Sequence, residues 1–308
     1  MIINMLAGAV SGGMARLMVA PLDVVKIRFQ VQVDPNVVPT LPTIGFRPNY
    51  HYKSIFNAFS TIYKQEGVKA LWRGNLLAEL MWMSFAAVQF STFNLYKFAT
   101  KQFLPSEGTK YKLDSLVSGG LAGMTATMIV YPLDLLRTRF AAQSLPMIHP
   151  TITSAVKTIY ANQGIYGFYY GICPSLWQLI PYASMQFFIY DSLKLKISRL
   201  SNHNLAPFIA GFVAGCFSKL MVLPFDVVKK RLQIHGLNMY RENQKNTQNL
   251  RLMRCPSFFG TIHDIYKFEG PSSFFKGAVP SILKASIQTA VVFTLFENSK
   301  AFLTSLAK

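Results

Sequence analysis

The stretch Pro21-Leu22-Asp23-Val24-Val25-Lys26-Ile27-Arg28 decides the fold. A proline inside an apolar helix removes a backbone donor and bends the helix. The acid and the base three residues later lie on neighbouring surface of that helix. The pattern returns as Pro132-Leu133-Asp134-Leu135-Leu136-Arg137-Thr138-Arg139 and as Pro224-Phe225-Asp226-Val227-Val228-Lys229-Lys230-Arg231. Two further markers follow each corner in the same order. The first is Glu66-Gly67 with Leu71-Trp72-Arg73-Gly74, then Gln163-Gly164 with Phe168-Tyr169-Tyr170-Gly171, then Glu269-Gly270 with Phe274-Phe275-Lys276-Gly277. The second is Phe93-Asn94 with Lys97, Tyr190-Asp191 with Lys194, and Phe296-Glu297 with Lys300. Chance is a poor explanation of such order, and the chain divides into three repeats at 1–103, 104–200 and 201–308.

The 308 residues are 51% hydrophobic and only 14% charged, which suits a membrane protein better than a soluble enzyme. Residues 115–133 and 164–190 contain no Asp, Glu, Lys or Arg, and a bilayer crossing takes roughly 20 mostly apolar residues. The net charge of +18 is spread between the apolar runs, which fits membrane-facing loops and an anion-accepting interior better than a nucleic-acid surface. Apolar sequence begins at once with Ile2 and Ile3, so a first transmembrane helix is expected rather than a cleavable signal. Cys173, Cys216 and Cys255 show no disulfide or CxxC spacing, and the histidines show no metal-ligand spacing. No cofactor is expected.

Each repeat reads as a long helix bent at proline, a loop, a short amphipathic helix and a second long helix. The long helices are expected near 2–30, 72–102, 113–142, 171–199, 205–234 and 277–305. The short ones are expected near 53–64, 151–162 and 257–267, the first resting at the membrane interface with Ile55, Phe56, Phe59, Ile62 and Tyr63 at helical spacing. Segments 31–52 and 235–256 are expected to be long loops. Gly8 and Gly12, Gly119 and Gly123, and Gly211 and Gly215 form small-xxx-small pairs that suit close helix packing.

Charges inside membrane helices must pair. In a threefold arrangement Asp23, Asp134 and Asp226 can reach Lys26, Arg137 and Lys229 of neighbouring helices and close a ring, with Gln30 and Gln233 placed to brace it. A second ring at the other end has Lys97, Lys194 and Lys300 but only Asp191 and Glu297, because Asn94 stands where the third acid would be. Buried ion pairs contribute little net stability, so two such rings suit a gate that alternates. The plain alternative is that they fix helix register.

The tripled Pro-x-Asp-x-x-Lys/Arg-x-Lys/Arg pattern, with its two companion markers, resembles the mitochondrial carrier family over essentially the whole chain. That resemblance implies an all-α membrane protein. Six transmembrane helices form a pseudo-threefold barrel with three short matrix-side amphipathic helices. It also implies a monomer in the mitochondrial inner membrane, contacting lipid such as cardiolipin, with both termini toward the intermembrane space. The Pro-Asp corners would be the matrix gate and the second ring the cytoplasmic gate, with transport by alternating access and no enzymatic activity. Gln163, Tyr170 and Asn94 depart from the family pattern, and the cytoplasmic gate should be the weaker one.

A substrate has no threefold symmetry, so residues that differ between equivalent positions are candidates to read it. Five residues before the corner prolines stand Arg16, Thr127 and Lys219. Seven after the marker glycines stand Met81, Gln178 and Lys284, which match the family's substrate contact points. Arg16, Lys219 and Lys284 are expected to converge as uncompensated cations opposed only by Glu79, which implies an anionic, phosphorylated substrate. Trp82, Phe85, Trp177 and Tyr182 either stack on a ring of that substrate or pack between helices. Glu79 either pairs with Arg16 or meets a positive group on the substrate. Arg137-Thr138-Arg139-Phe140-Ala141-Ala142-Gln143, Ala87-Val88-Gln89-Phe90 and Pro181-Tyr182-Ala183 resemble the thiamine pyrophosphate branch of the family. That branch imports its substrate by exchange for nucleotides or other phosphorylated compounds. Alternatives are a nucleotide or coenzyme A carrier and, in a different class, a proton or anion leak protein.

Overall fold

The structure, a computed structural model, describes residues 2–32, 52–103, 109–145, 147–200, 206–243, 257–285, 287, 288 and 291. All regular structure among them is helical. In chain order the helices are α1 (Ile2–Val31), α2 (Ile55–Glu66), α3 (Asn75–Phe103), α4 (Thr109–Ala142), α5 (Ile152–Gln163), α6 (Ile172–Trp177), α7 (Leu179–Leu200), α8 (Ala206–Met221), α9 (Leu223–Asn243), α10 (Phe258–Asp264) and α11 (278–285). Short 3-10 turns at Val68–Trp72, Ile165–Tyr169 and Pro271–Phe275 lead into α3, α6 and α11. These turns are why α3 starts at Asn75 rather than at 72. By length and composition, Val68–Thr100 and Val117–Ala142 are apolar enough to cross a membrane.

The corners carry the architecture. Pro21 lies within the unbroken α1 and Pro132 within α4, whereas the third counterpart is split at Val222 between α8 and α9. Proline cannot donate to the carbonyl four residues earlier. In α1 that carbonyl belongs to Leu17, and the Trp72 indole Nε1–H supplies the missing bond at 2.9 Å. Phe275 at the equivalent place in the third repeat has no such donor. The expected helix over 171–199 is likewise split, with Gln178 between α6 and α7. The expected loop from 235 begins as helix instead, because α9 runs on to Asn243.

Each short helix opens on a hydroxyl cap: Ser54, Thr151 and Ser257 accept from the backbone N–H of Asn57, Ser154 and Gly260, an arrangement worth about 1 kcal/mol each. Each leads to a glycine of positive φ, Gly67 and Gly164 directly and Gly270 after a π-helical turn at Ile265–Glu269. Ala58 and Ile62 of α2 are fully buried against Val24, Val25 and Ile27 of α1, while Phe56 and Tyr63 face outward. The second face fits an interfacial helix.

The repeats close on one another through a second set of glycines. Gly74, Gly171 and Gly277 all have φ near +80°. A Cβ on Gly74 would lie 2.9 Å from the Arg137 carbonyl, one on Gly171 3.0 Å from the Lys229 carbonyl, and one on Gly277 3.4 Å from the Lys26 carbonyl. Repeat one therefore abuts repeat two, two abuts three, and three abuts one. The small-xxx-small pairs behave otherwise. Gly119 would meet Phe93 at 3.9 Å, but Gly12, Gly123 and Gly215 have open space where a Cβ would stand. The side chains at 8 and 211 lie outside the described residues.

Candidate functional site

The three aspartates bind the base of another repeat. Arg137 Nη2 donates to Asp23 Oδ2 at 2.7 Å, Lys229 Nζ lies 2.8 Å from Asp134 Oδ2, and Lys26 Nζ lies 3.4 Å from Asp226 Oδ2. The sequence missed Lys230. Its ammonium donates to Thr138 Oγ1 at 2.7 Å and Gln233 Oε1 at 3.0 Å, and lies 3.5 Å from Asp134. Gln233 braces the ring as expected, its Nε2 donating to Asp134 Oδ2 at 2.9 Å and to Tyr131 Oη at 3.2 Å. Gln30 does not: both polar atoms of its buried amide lack a hydrogen-bond partner among the described residues. Its stem is packed under Gly277, while Lys26 reaches across to Asp226.

A second storey lies beyond this ring, built from the last base of each corner. Arg28 is almost fully buried. It donates to Tyr52 Oη, to Glu66 and to the carbonyls of Ala141 and Gln143 in the next repeat. Arg231 does the same with Glu269 and the carbonyls of Gln30 and Gln32. Arg73 and Lys276 complete the two carboxylates. In the middle repeat Arg139 is as deeply buried, yet among the described residues it donates to the Gln233 carbonyl at 2.9 Å and Gln163 Oε1 at 3.3 Å and is ion-paired with no carboxylate. Burial would raise the Glu269 carboxyl, but bonds and charge from Arg231, then Lys276, win and hold it below its ordinary value. Burial, with Arg139 close by, pushes the His149 imidazole down. The markers were legible as repeats, but a pair such as Arg28 and Glu66 has no local spacing signal.

The asymmetric residues gather on the same ring. Lys219 Nζ sits 2.5 Å from Asp226 Oδ2, and Lys284 is ion-paired with Asp23. The expectation of uncompensated cations is therefore wrong for these two, because their long stems reach the gate carboxylates. Arg16 makes no ion pair with a carboxylate among the described residues. Its Nη1 donates to the Ala78 carbonyl at 3.2 Å, and its guanidinium lies 4.2 Å above the Trp82 ring, which meets Phe85 edge-on at 6.1 Å. Glu79 Oε1 is buried with no hydrogen-bond partner among the described residues. Tyr182 lies within electrostatic reach of Lys219. Gln178 and Met81 are half-buried. Thr127 is spent on its own helix, donating to the Gly123 carbonyl at 2.8 Å. The arrangement thus sets seven cations, Arg16, Lys26, Arg137, Lys219, Lys229, Lys230 and Lys284, around three aspartates and Glu79. Such a site attracts anions.

At the opposite end Asn94 and Asp191 are exposed, and Lys97 lies 5.7 Å from the Phe93 ring centre. The Lys194 side chain, Glu297 and Lys300 fall outside the described residues, so the second ring is not seen.

The chain matches the family described as "Mitochondrial carrier protein" three times, over residues 1–103, 109–201 and 200–306. It is 35% identical to mitochondrial thiamine diphosphate carrier 2 of Zea mays, over 99% of this chain and 95% of that protein. It is 36% identical to the mitochondrial thiamine pyrophosphate carrier of Macaca fascicularis over 94% of this chain and 89% of that one. Mitochondrial thiamine pyrophosphate carrier 1 of Neurospora crassa is 35% identical over 95% and 89% respectively. The tripled corners, their cyclic closure and these matches together place the chain in the mitochondrial carrier protein family.

Proposed function

We propose that this carrier imports thiamine pyrophosphate across the mitochondrial inner membrane in exchange for nucleotides, deoxynucleotides or other phosphorylated compounds. The fold we infer is a pseudo-threefold barrel of six transmembrane helices with the termini toward the intermembrane space. The observation that carries the reading is the attachment of Lys219 and Lys284 to Asp226 and Asp23. A diphosphate entering beside Arg16 competes for both lysines, since phosphate oxygens accept ammonium donors as carboxylates do. Each aspartate is then left with a single gate base: Lys26 at 3.4 Å and Arg137 at 2.7 Å. Breaking the ring toward the matrix becomes easier when the site is filled. On this reading, a closed corner ring would go with a cavity open to the intermembrane space.

Glu79 adds a reason to favour thiamine pyrophosphate over an adenine nucleotide. Arg16 makes no ion pair with it, one of its carboxylate oxygens is buried without a hydrogen-bond partner among the described residues, and a membrane charge short of a partner is costly. The thiazolium of thiamine is a permanent cation and satisfies it, whereas neutral adenine does not. The aromatic pair Trp82 and Phe85 accepts either ring, and so supports a nucleotide carrier as the second reading.

Uptake of labelled thiamine pyrophosphate, ATP and coenzyme A into proteoliposomes loaded with unlabelled substrate separates them. Thiamine pyrophosphate uptake above that of ATP is expected. Exchange of ATP or coenzyme A with none of thiamine pyrophosphate would overturn the assignment.

A further inference from the structure

Each corner aspartate faces two cations, but not two of the same kind. Asp23 meets Arg137 and Lys284, and Asp226 meets Lys26 and Lys219. In both cases the second cation stands at a position expected to read the substrate. The corresponding positions of the middle repeat hold the neutral Thr127 and Gln178. Asp134 takes its second cation from the gate itself, as Lys229 and Lys230. The residues that match Lys230 in the other corners are Ile27 and Thr138, and neither carries a charge.

Lys230 has no donor to spare. An ammonium offers three N–H bonds, and acceptors lie at Thr138 Oγ1 (2.7 Å), Gln233 Oε1 (3.0 Å) and Asp134 Oδ1 (3.5 Å). Thr138 and Asp134 belong to repeat two, and Lys230 and Gln233 to repeat three, so the ammonium ties that seam. The same seam has Lys229 at 2.8 Å and Gln233 Nε2 at 2.9 Å from Asp134, and Arg139 donating to the Gln233 carbonyl at 2.9 Å. The seam between repeats one and two is intermediate. There Arg137 donates to Asp23 at 2.7 Å, and Arg28 to the carbonyls of Gln143 at 2.8 Å and Ala141 at 3.2 Å. The seam between repeats three and one is the loosest among the described residues. Lys26 stands 3.4 Å from Asp226, Arg231 reaches the Gln30 and Gln32 carbonyls at 3.3 and 3.5 Å, and the Gln30 amide has no hydrogen-bond partner there. The other ion pair on that seam joins Lys284 to Asp23, and on the proposed reading a substrate phosphate competes for it.

Parting buried charges is costly when nothing replaces the lost partner. A phosphate replaces it for Lys284, whereas parting the second seam would strand Asp134 from Lys229 and Lys230 together. We infer that Lys230 is a positioning residue that holds repeats two and three together through the transport cycle, so that the corner ring opens along the seam between repeats three and one rather than on all three seams alike. The inference rests on the reading of the chain as an exchanger gated by this ring, and says where the gate parts.

Three exposed tyrosines allow a test. Tyr63, Tyr160 and Tyr266 each lie nine residues past the capping hydroxyl of their repeat, Ser54, Thr151 or Ser257. Nitroxides are attached at Tyr63→Cys, Tyr160→Cys and Tyr266→Cys, taken two at a time. The parent is a carrier with Cys173→Ser, Cys216→Ser and Cys255→Ser, in liposomes. Pulsed electron spin resonance then reads each seam as a distance. With thiamine pyrophosphate added, the Tyr63–Tyr266 pair is expected to gain a second, longer population. The Tyr160–Tyr266 pair keeps a single one. Lys230→Thr gives Tyr160–Tyr266 the longer population too, and Lys230→Arg restores the single one. Thr138→Val removes only the hydroxyl that accepts from Lys230; it shifts the same pair less, and serves if Lys230→Thr does not fold. A merely structural Lys230 lowers the melting temperature in Lys230→Thr and leaves the substrate-dependent distances as in the parent. That result overturns the inference, as does equal lengthening of all three pairs in the parent. If ATP moves the distances and thiamine pyrophosphate does not, the substrate assignment falls, and the inequality between the seams under ATP decides the inference. No movement with either substrate removes both.

Discussion

Lys284 is paired with Asp23, and on the proposed reading it would turn to a substrate phosphate in the loaded carrier, which sets what its removal does. Asp23 keeps Arg137 at 2.7 Å after the change, so Lys284→Ala is expected to fold but to lose transport by at least tenfold, about 1.4 kcal/mol or more for a charged hydrogen bond. Detergent melting curves and exchange rates on one preparation check both halves. Normal exchange by the variant removes Lys284 from the site. Glu79 gives a sharper discrimination. Glu79→Gln should weaken half-saturation by thiamine pyrophosphate roughly tenfold, as expected for a lost charge-assisted contact, and leave ATP nearly unchanged. Equal loss for both substrates would show that Glu79 merely tempers the neighbouring arginines.

The short helices and their turns differ in how firmly they hold the corners. In the first and third repeats a carboxylate ties the buried arginine to the following base, while in the middle repeat the neutral Gln163 takes that place beside Arg139. Gln163→Glu supplies the missing charge without changing shape. It should raise the melting temperature, by roughly 1–3 kcal/mol of stability. A lower melting temperature would mean that desolvation of the new carboxylate outweighs the pairing. The third repeat makes the converse prediction. The Glu269 pKa is depressed in the folded chain, so its contribution is fully present above the unfolded carboxyl value of about 4.3. It is lost as pH falls through the lower folded value. Glu269→Gln should therefore cost about 3–5 kcal/mol at neutral pH, and its melting temperature should fall less than that of the parent on acidification. Parallel pH curves would contradict this.

The whole molecule is a cycle of three near-equal units closed at one end, and its legibility in the sequence follows from that. The corners and the ring pairs could be read because three copies of Pro-x-Asp-x-x-Lys/Arg leave few other ways to neutralise membrane charge. Gln233 could be placed for the same reason. Gln30 occupies the matching position, yet its neighbours Lys26 and Gly277 leave its amide unpaired. The ion pairs of Lys219 and Lys284 with the corner aspartates were missed, because helix position does not say how far a four-carbon stem reaches. The buried arginine storey joins residues as far apart as Arg231 and Gln30, which only the closed cycle brings together. The central claim is exchange: an empty site keeps the gate latched by its own lysines, so the carrier should not turn over without a counter-substrate. The direct measurement is initial uptake of labelled thiamine pyrophosphate into proteoliposomes loaded with unlabelled thiamine pyrophosphate, compared with empty ones. The account predicts rapid uptake into loaded vesicles and almost none into empty vesicles. Equal uptake into both would contradict it.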